Sequence, residues 1–365
     1  QLFAFFNNVP EQGLIRSDNP PPLIEVPTER QRRNLARLQA VEKQAVAAFE
    51  PVHERLKPQI QAWERSAPQS LPLPPDGAVL QESFTDPKLV RIGTVVEPAA
   101  GVRGQAAKFD ATQHFEAGLQ GFITDAPWTI GLWLNAEGSL SCPLSLIEPT
   151  GDRRGIEVIW QKGRVQVNLV HRWGADAIEA ATVEALPGGA WHQVVITYDG
   201  SRKARGLRVF FDGVATTLEV RRDSLQGSLA NREPLRIGRR DANLGFYGMI
   251  DELRILPQAV DPAAVLGWHR GELLRGILEK PEDRRSHGEE ENLLDDFIAH
   301  QADAATRRAR QDLLAARQAE RRLREAIPTT LVMQEMEKPR TAHVLERGRY
   351  DKPGEAVQPG VPTAV

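Results

Sequence analysis

The hydrophobic period of this chain changes twice, and each change falls at proline. From Thr28 to about Ser66, Leu35, Leu38, Ala45, Phe49, Val52, Leu56 and Trp63 recur three, four or seven apart, the spacing of one helix face. Past Pro68, Pro72, Pro74 and Pro75 the period drops to two. Trp128–Asn135, Arg164–Val170 and Leu207–Phe211 alternate and are rich in β-branched and aromatic residues, which marks short strands. Gly188-Gly189, Asp199-Gly200 and Asp212-Gly213 supply turns between them. Many short strands with frequent turns indicate an antiparallel sandwich. The last strand, Phe246–Leu256, stops at Pro257.

Helical signals return after Pro257. Asp261-Pro262 reads as an N-cap followed by proline at the first helical position. A polar break from Pro281 to Glu291 precedes a tract from Asn292 to Ala326, rich in Ala, Arg and Glu and stopped by Pro328. Within the first tract, Pro51 and Pro58 predict a kink or break near Glu50. Two helical tracts around a sandwich suggest an antiparallel, coiled-coil-like hairpin with the sandwich inserted between its arms. At ~1.5 Å per residue each arm reaches roughly 50 Å, and mutual packing is what stabilises helices of this kind. The expected division is residues 1–27, a helical arm 28–67, a sandwich 76–257, a second arm 258–327 and a C-terminal segment 328–365.

Composition excludes more than it assigns. A formal charge of −3 gives no global field to attract nucleic acid. The arginines between Arg307 and Arg324 lack interleaved aromatics and sit among Asp312, Glu320 and Glu325, so a charged helix face is expected and no nucleic-acid partner. No apolar run approaches the ~18 residues of a membrane span. One cysteine, Cys142, leaves no internal disulfide, no cysteine-based zinc site and no C-x-x-C-H haem attachment. The apolar start at Leu2–Phe6 and the Pro/Gly-rich end near Val365 both read as cuts in a longer protein.

Three stretches carry a resemblance. Trp191–Gly200, Val209–Gly213, Leu235–Gly238 and Phe246–Leu256, in that order, resemble the laminin-G-like (concanavalin A-like lectin/glucanase) superfamily. Leu2–Pro10 resembles the end of a cytochrome-associated domain of large planctomycete-type proteins. Pro328–Met336, with Pro339-Arg340, Arg347-Gly348, Tyr350–Glu355 and Pro359–Pro362, resembles the start of the domain of unknown function that follows in them. The resemblance implies a mixed all-β plus α chain: a laminin-G-like antiparallel β-sandwich (jelly roll) between two long helical arms. It also implies a periplasmic or secreted setting, with haem only in a module upstream of Gln1, and it implies no established reaction.

The candidate site residues follow from both lines. Sugar sites combine a stacking aromatic with convergent polar groups. His171-Arg172-Trp173-Gly174 ends a strand and enters a loop, which places Trp173 on the rim; Trp133 with Asn135 and Gln166 with Asn168 each share one strand face. For each aromatic the competing reading is core. The resemblance implies that Asp251, in Gly248-Met-Ile-Asp251, helps hold a structural Ca2+; the competing reading is an acceptor for backbone N–H groups. Hydrolysis needs two neighbouring carboxylates, but Glu157 stands alone and Asp251-Glu252 point to opposite faces, so no catalytic residue is assigned. Glu335, Arg340, His343, Arg347 and Asp351 crowd one end, with Asn7-Asn8 in the opposite arm, as a shared site or an interdomain ion network. The expected function is binding of carbohydrate or a protein surface by the sandwich. The alternative is an enzyme acting on polysaccharide with its catalytic centre in the flanking domains.

Overall fold

The computed structural model describes residues 23–119, 122, 124–332, 337, 338, 340–345, 347 and 352–358. In chain order, β1 (Leu23–Glu25) and α1 (Glu29–Ser70) precede the strands of a sandwich. Those strands begin with β2 (Leu80–Glu82), β3 (Val90–Ile92), β4 (Glu97–Ala100), β5 (Gln105–Asp110), β6 (His114–Ala117) and β7 (Trp128–Ala136). Next come β8 (Leu140–Ile147), β9 (Gly155–Gln161), β10 (Arg164–Arg172), β11 (Asp176–Thr182), β12 (His192–Tyr198) and β13 (Leu207–Phe211). They end with β14 (Val214–Ala215), β15 (Leu218–Asp223), β16 (Leu235–Ile237), β17 (Arg239–Asp241), β18 (Leu244–Gly245) and β19 (Tyr247–Leu256). Helices α2 (Pro262–Leu278), α3 (His287–Gln301) and α4 (Ala304–Glu325) follow, then β20 (Thr329–Leu331), β21 (Ala342–Leu345) and β22 (Pro353–Val357).

The chain divides into two compact units, residues 58–297 and residues 1–57 with 298–365. The first holds two antiparallel sheets. The front sheet has the order β15-β11-β10-β9-β8-β16-β6-β3, and the rear sheet β14-β13-β12-β7-β19-β5-β4, with β2 beside β19. Alternation assigns the faces. Val165, Val167 and Leu169 of β10 and Ile156, Val158 and Trp160 of β9 meet Ile130, Leu132 and Leu134 of β7 and Val194 and Ile196 of β12 in one buried core. Gln166, Asn168 and Glu157 therefore face outward on the front sheet, and Trp133, Asn135 and Gln193 on the rear sheet.

The rear sheet's outer face is covered by α2. Asp261 caps that helix, its Oδ1 accepting from Ala263 N at 2.9 Å and Ala264 N at 3.0 Å, and Pro262 takes the first helical position, as the sequence predicts. Val265 and Trp268 pack with Val195, Phe210 and Leu256. Gly131, in the middle of β7, makes room for Trp268: a Cβ there would collide with the indole ring. Further along, Arg275 donates to the Leu71 and Pro72 carbonyls at 2.6 and 2.8 Å, and Trp63 meets Phe297 edge-on at 5.8 Å.

In the second unit α1 and α4 run antiparallel. Gln31 Nε2 donates to Ala326 O at 3.3 Å, Arg317 Nε lies 3.6 Å from Glu42 Oε1, and the Arg310 guanidinium stacks 5.3 Å over Phe49. Two expectations change. Helix α1 runs through Pro51 and Pro58 without a break. Burial of Phe49 and Leu56 on either side of Pro51 holds a turn that has lost one ladder bond. The second tract is two helices: Asp303 interrupts it and caps α4, its Oδ1 accepting from Thr306 N at 2.7 Å. The arginines of α4 find acidic neighbours, Arg308 with Asp312 at 3.1 Å and Arg324 with Glu320 at 2.6 Å. No described helix is long and apolar enough to cross a membrane.

Candidate functional site

The register of the front sheet lines up one row of polar side chains across its outer face. Arg222, Glu179, Asn168, Glu157, Ser145, Arg236 and Glu116 stand side by side on seven consecutive strands. At its centre Asn168 and Glu157 are each only 1% exposed. Asn168 Nδ2 donates to Glu157 Oε1 at 2.6 Å, and Gln166 Nε2 donates to Asn168 Oδ1 at 3.0 Å. Burial pushes the Glu157 carboxyl above the usual range, against Asn168 and Arg240, which hold it down. The β17–β18 hairpin lies beside this row, with Ser145 Oγ donating to the Arg239 carbonyl at 2.9 Å. It brings Arg240 Nη1 to 3.8 Å from Glu157 Oε2.

From there the network reaches the rim. Asp241 Oδ2 accepts from Arg240 Nε at 3.2 Å and from Arg153 Nη2 at 2.6 Å. The Arg153 guanidinium sits 5.6 Å over the Trp173 ring, close enough for a cation–π contact. Trp173 N donates to Asp152 O at 2.9 Å, tying two neighbouring loops together. Trp173 remains 43% exposed, an open ring with one side held by an arginine. Beside it Arg172 is exposed. His171 turns inward: its Nδ1 lies 2.7 Å from Ser228 O, and Gly227 leaves space for its ring. The structure therefore groups Trp173, Arg172 and Asn168 on the front sheet and its rim, with His171 as a loop anchor behind them. Arg153, Arg240 and Asp241 complete the network and went unassigned from sequence; the signal for the last two was the polar turn Asp241–Gly245 following a strand.

Trp133 and Asp251 lie elsewhere. Trp133 is 2% exposed on the rear sheet, its Nε1 donating to Glu272 Oε2 of α2 at 2.8 Å and its ring stacked 5.3 Å from His269. It belongs to the seam under α2, so as a ligand-stacking residue it is corrected to a packing role. Asp251 is fully buried. Its Oδ2 accepts from Val102 N at 2.8 Å and Arg103 N at 3.2 Å, and its Oδ1 from Glu252 N at 2.8 Å. Both oxygens are thus engaged by N–H donors. Among the described residues no group of three or more His, Cys, Asp or Glu is arranged to hold a metal. This donor set does not fit a calcium ion, which wants six to eight oxygens. Of the end cluster, Asn7, Asn8, Glu335 and Asp351 lie outside the described residues, as do Leu2–Pro10. Arg340 and Arg347 are exposed, and His343 Nδ1 sits 2.9 Å from Gly354 O in the β21–β22 hairpin.

Residues 109–266 match the family model of the concanavalin A-like lectin/glucanases superfamily, laminin-G type. The chain contains a laminin-G-like domain. The matched residues take in the strands from β6 to β19 and the start of α2. No curated protein matches the chain. Among solved structures it is similar to domain 4 of the extracellular arabinanase AbnA from Geobacillus stearothermophilus, in complex with arabinotriose. That likeness is at 16% identity over 53% of this chain and 98% of the other, with a TM-score of 0.38. It is similar also to the sialidase CBM40 of Ruminococcus gnavus bound to α2,3-sialyllactose, at 14% identity over 52% and 97% of the two chains, TM-score 0.38. A third is the binding domain of botulinum neurotoxin DC in complex with rat synaptotagmin II, at 11% identity over 54% and 52%, TM-score 0.40. What each of these binds is a property of that protein.

Proposed function

We propose that the laminin-G-like domain is a glycan-binding module whose contact surface is the rim and outer face of the front sheet, centred on Trp173. The observation that carries this reading is the half-open Trp173 ring, backed by Arg153 and joined through Asp241 and Arg240 to the buried Glu157–Asn168 pair. An aromatic face stacks on the C–H face of a sugar ring, while flanking polar groups fix its hydroxyls. Arg172 and Gln166 are the donors within reach of solvent; Glu157 and Asn168 are buried and hold Gln166 and Arg240 in place. On this face Glu157 and Asp241 are buried, and Glu179 and Glu116 are paired with Arg222 and Arg236, so binding without hydrolysis is the chemistry it supports. A setting outside the cytoplasm within a larger cytochrome-associated protein, supported by the end-segment resemblance, belongs to the same reading. A leader peptide and a C-x-x-C-H motif in the full reading frame are its check.

The test is a glycan array probed with the whole chain and with Trp173→Ala. The expected result is binding to a defined set of glycans that weakens about tenfold in the variant, with an unchanged melting temperature. Silence across acidic and neutral polysaccharides, or equal binding by the variant, would contradict the proposal.

A further inference from the structure

The two sheets of the sandwich part at one side, and the opening there is a groove with its own chemistry. It measures about 620 Å³. Ala204, Leu207, Ala215, Leu218 and Val220 give it an apolar floor, and Arg205 and Arg208 stand on its wall. Both bordering strands, β14 and β15, are the edge strands of their sheets. Trp173 lies in the turn between β10 and β11 and lines no part of it.

The backbone of β15 is oriented for pairing. Val183 N donates to Thr217 O at 2.9 Å, and Thr182 pairs with Leu218, Ala181 with Glu219 and Ala180 with Val220. Backbone groups alternate in an antiparallel ladder. Thr217 and Glu219 therefore point toward β11, and Leu218 and Val220 turn their N–H and C=O outward to the open edge. Their side chains share the face that looks into the gap between the sheets. Val220 is 48% exposed, although it sits opposite the core residue Ala180. An extended chain laid against β15 would take main-chain hydrogen bonds from Leu218 and Val220. Every second side chain of that strand would drop onto the apolar floor.

The charge around the groove selects the sign of the partner. Arg202, Lys203, Arg205 and Arg208 are all exposed, and among the described residues none of them forms an ion pair. The acidic group on the lining, Asp223, is engaged by backbone, its Oδ1 accepting from Ala204 N at 2.8 Å. On β15 itself Glu219 faces Arg164 at 3.7 Å and Arg222 is held by Glu179 at 2.9 Å. Surface cations are common guards of an edge strand. Here two of them, Arg205 and Arg208, line an apolar cleft, and Arg202 and Lys203 lie just before them in the chain, which leaves the edge open to a strand of opposite charge.

We propose that this groove is a second binding site, taking an extended acidic peptide with alternating apolar residues as an added strand on β15. A polysaccharide would use the cations but neither the outward N–H and C=O pattern nor the apolar floor, so the peptide is the occupant the geometry favours.

The probe is a fluorescein-labelled hexapeptide of alternating valine and glutamate, titrated against the whole chain at low salt with anisotropy as the readout. Binding should saturate, and should weaken about tenfold or more in two independent variants. Val220→Pro removes an outward N–H without touching the β11 ladder, a position where proline is tolerated. The double variant Arg205→Glu with Arg208→Glu reverses the charge on exposed side chains, and melting curves check that both variants fold. Trp173→Ala should bind the peptide as the parent does, which separates this site from the glycan site. Equal binding of a valine–lysine hexapeptide, or undiminished binding by Val220→Pro, would overturn the proposal. So would binding of polygalacturonate with no binding of the valine–glutamate peptide.

Discussion

Glu252 combines a left-handed backbone with a perturbed carboxyl on the rear sheet. It sits at the bulge of β19, between Asp251 and Arg254, where the register shifts, and holds φ at +47°. Burial raises its pKa, and the neighbouring Glu272 and Asp251 carboxylates raise it further, to about 7, against Arg103 and Arg254. In the unfolded chain an ordinary glutamate titrates near 4.5. The folded state therefore binds the proton more tightly, and the stability this contributes is complete below pH ~4.5 and lost as pH rises through ~7. Glu252→Gln should match the parent at pH 4 and exceed it at pH 8 by on the order of 2 kcal/mol in urea unfolding. No gain at pH 8 would mean that Arg254, whose Nη2 is 3.9 Å from Glu252 Oε2, already compensates the charge. Asp251 makes a separate prediction. Since its oxygens are held by backbone N–H groups, EDTA should leave the melting temperature unchanged; a drop restored by calcium would show an ion in that loop.

At the scale of elements, the docking of α2 rests on one close fit. Trp268 is fully buried and points the tip of its six-membered ring at the bare backbone of Gly131. Trp268→Ala should cost ~3–5 kcal/mol. Gly131→Ala should cost several kcal/mol as well, about as much as overpacking does elsewhere, because Val265, Phe210 and Leu256 leave the ring nowhere to move. A harmless Gly131→Ala in denaturant melts would mean that α2 can shift on the sheet. Asp261→Ala, which strips the cap, should cost only ~1 kcal/mol. How far these elements were legible depends on the range of the signal. The period of two named the strands, and Asp261-Pro262 named the start of α2, because both signals are local. Gly131, a glycine inside an alternating strand, is a local sign of a close approach, but the sequence does not say which element approaches. Asp303 was hidden in an Ala- and Arg-rich tract whose composition is helical on either side. The site was half legible for the same reason. Alternation shows that Trp133 and Asn168 both face out of the core, but which sheet each strand joins is long-range information. Pairing puts Trp133 under α2 and Asn168 on the open face.

At the scale of the whole molecule, the sandwich has two outer faces with different fates. The rear face is closed by a helix whose Glu272 accepts from Trp133 and from Gln193 at 3.1 Å, so its polar groups are consumed in holding the domain together. The front face keeps its network directed toward a rim tryptophan. The seven tryptophans of the chain allow this division to be tested residue by residue. The decisive measurement is the fluorine NMR spectrum of the 5-fluorotryptophan-labelled chain, each resonance assigned by single substitution, recorded while a glycan that binds on the array is added. The Trp173 resonance should shift in a saturable way, and the Trp133 and Trp268 resonances should stay where they are. A saturable shift at Trp133 or Trp268 with Trp173 unmoved would place the ligand on the rear sheet and contradict this division.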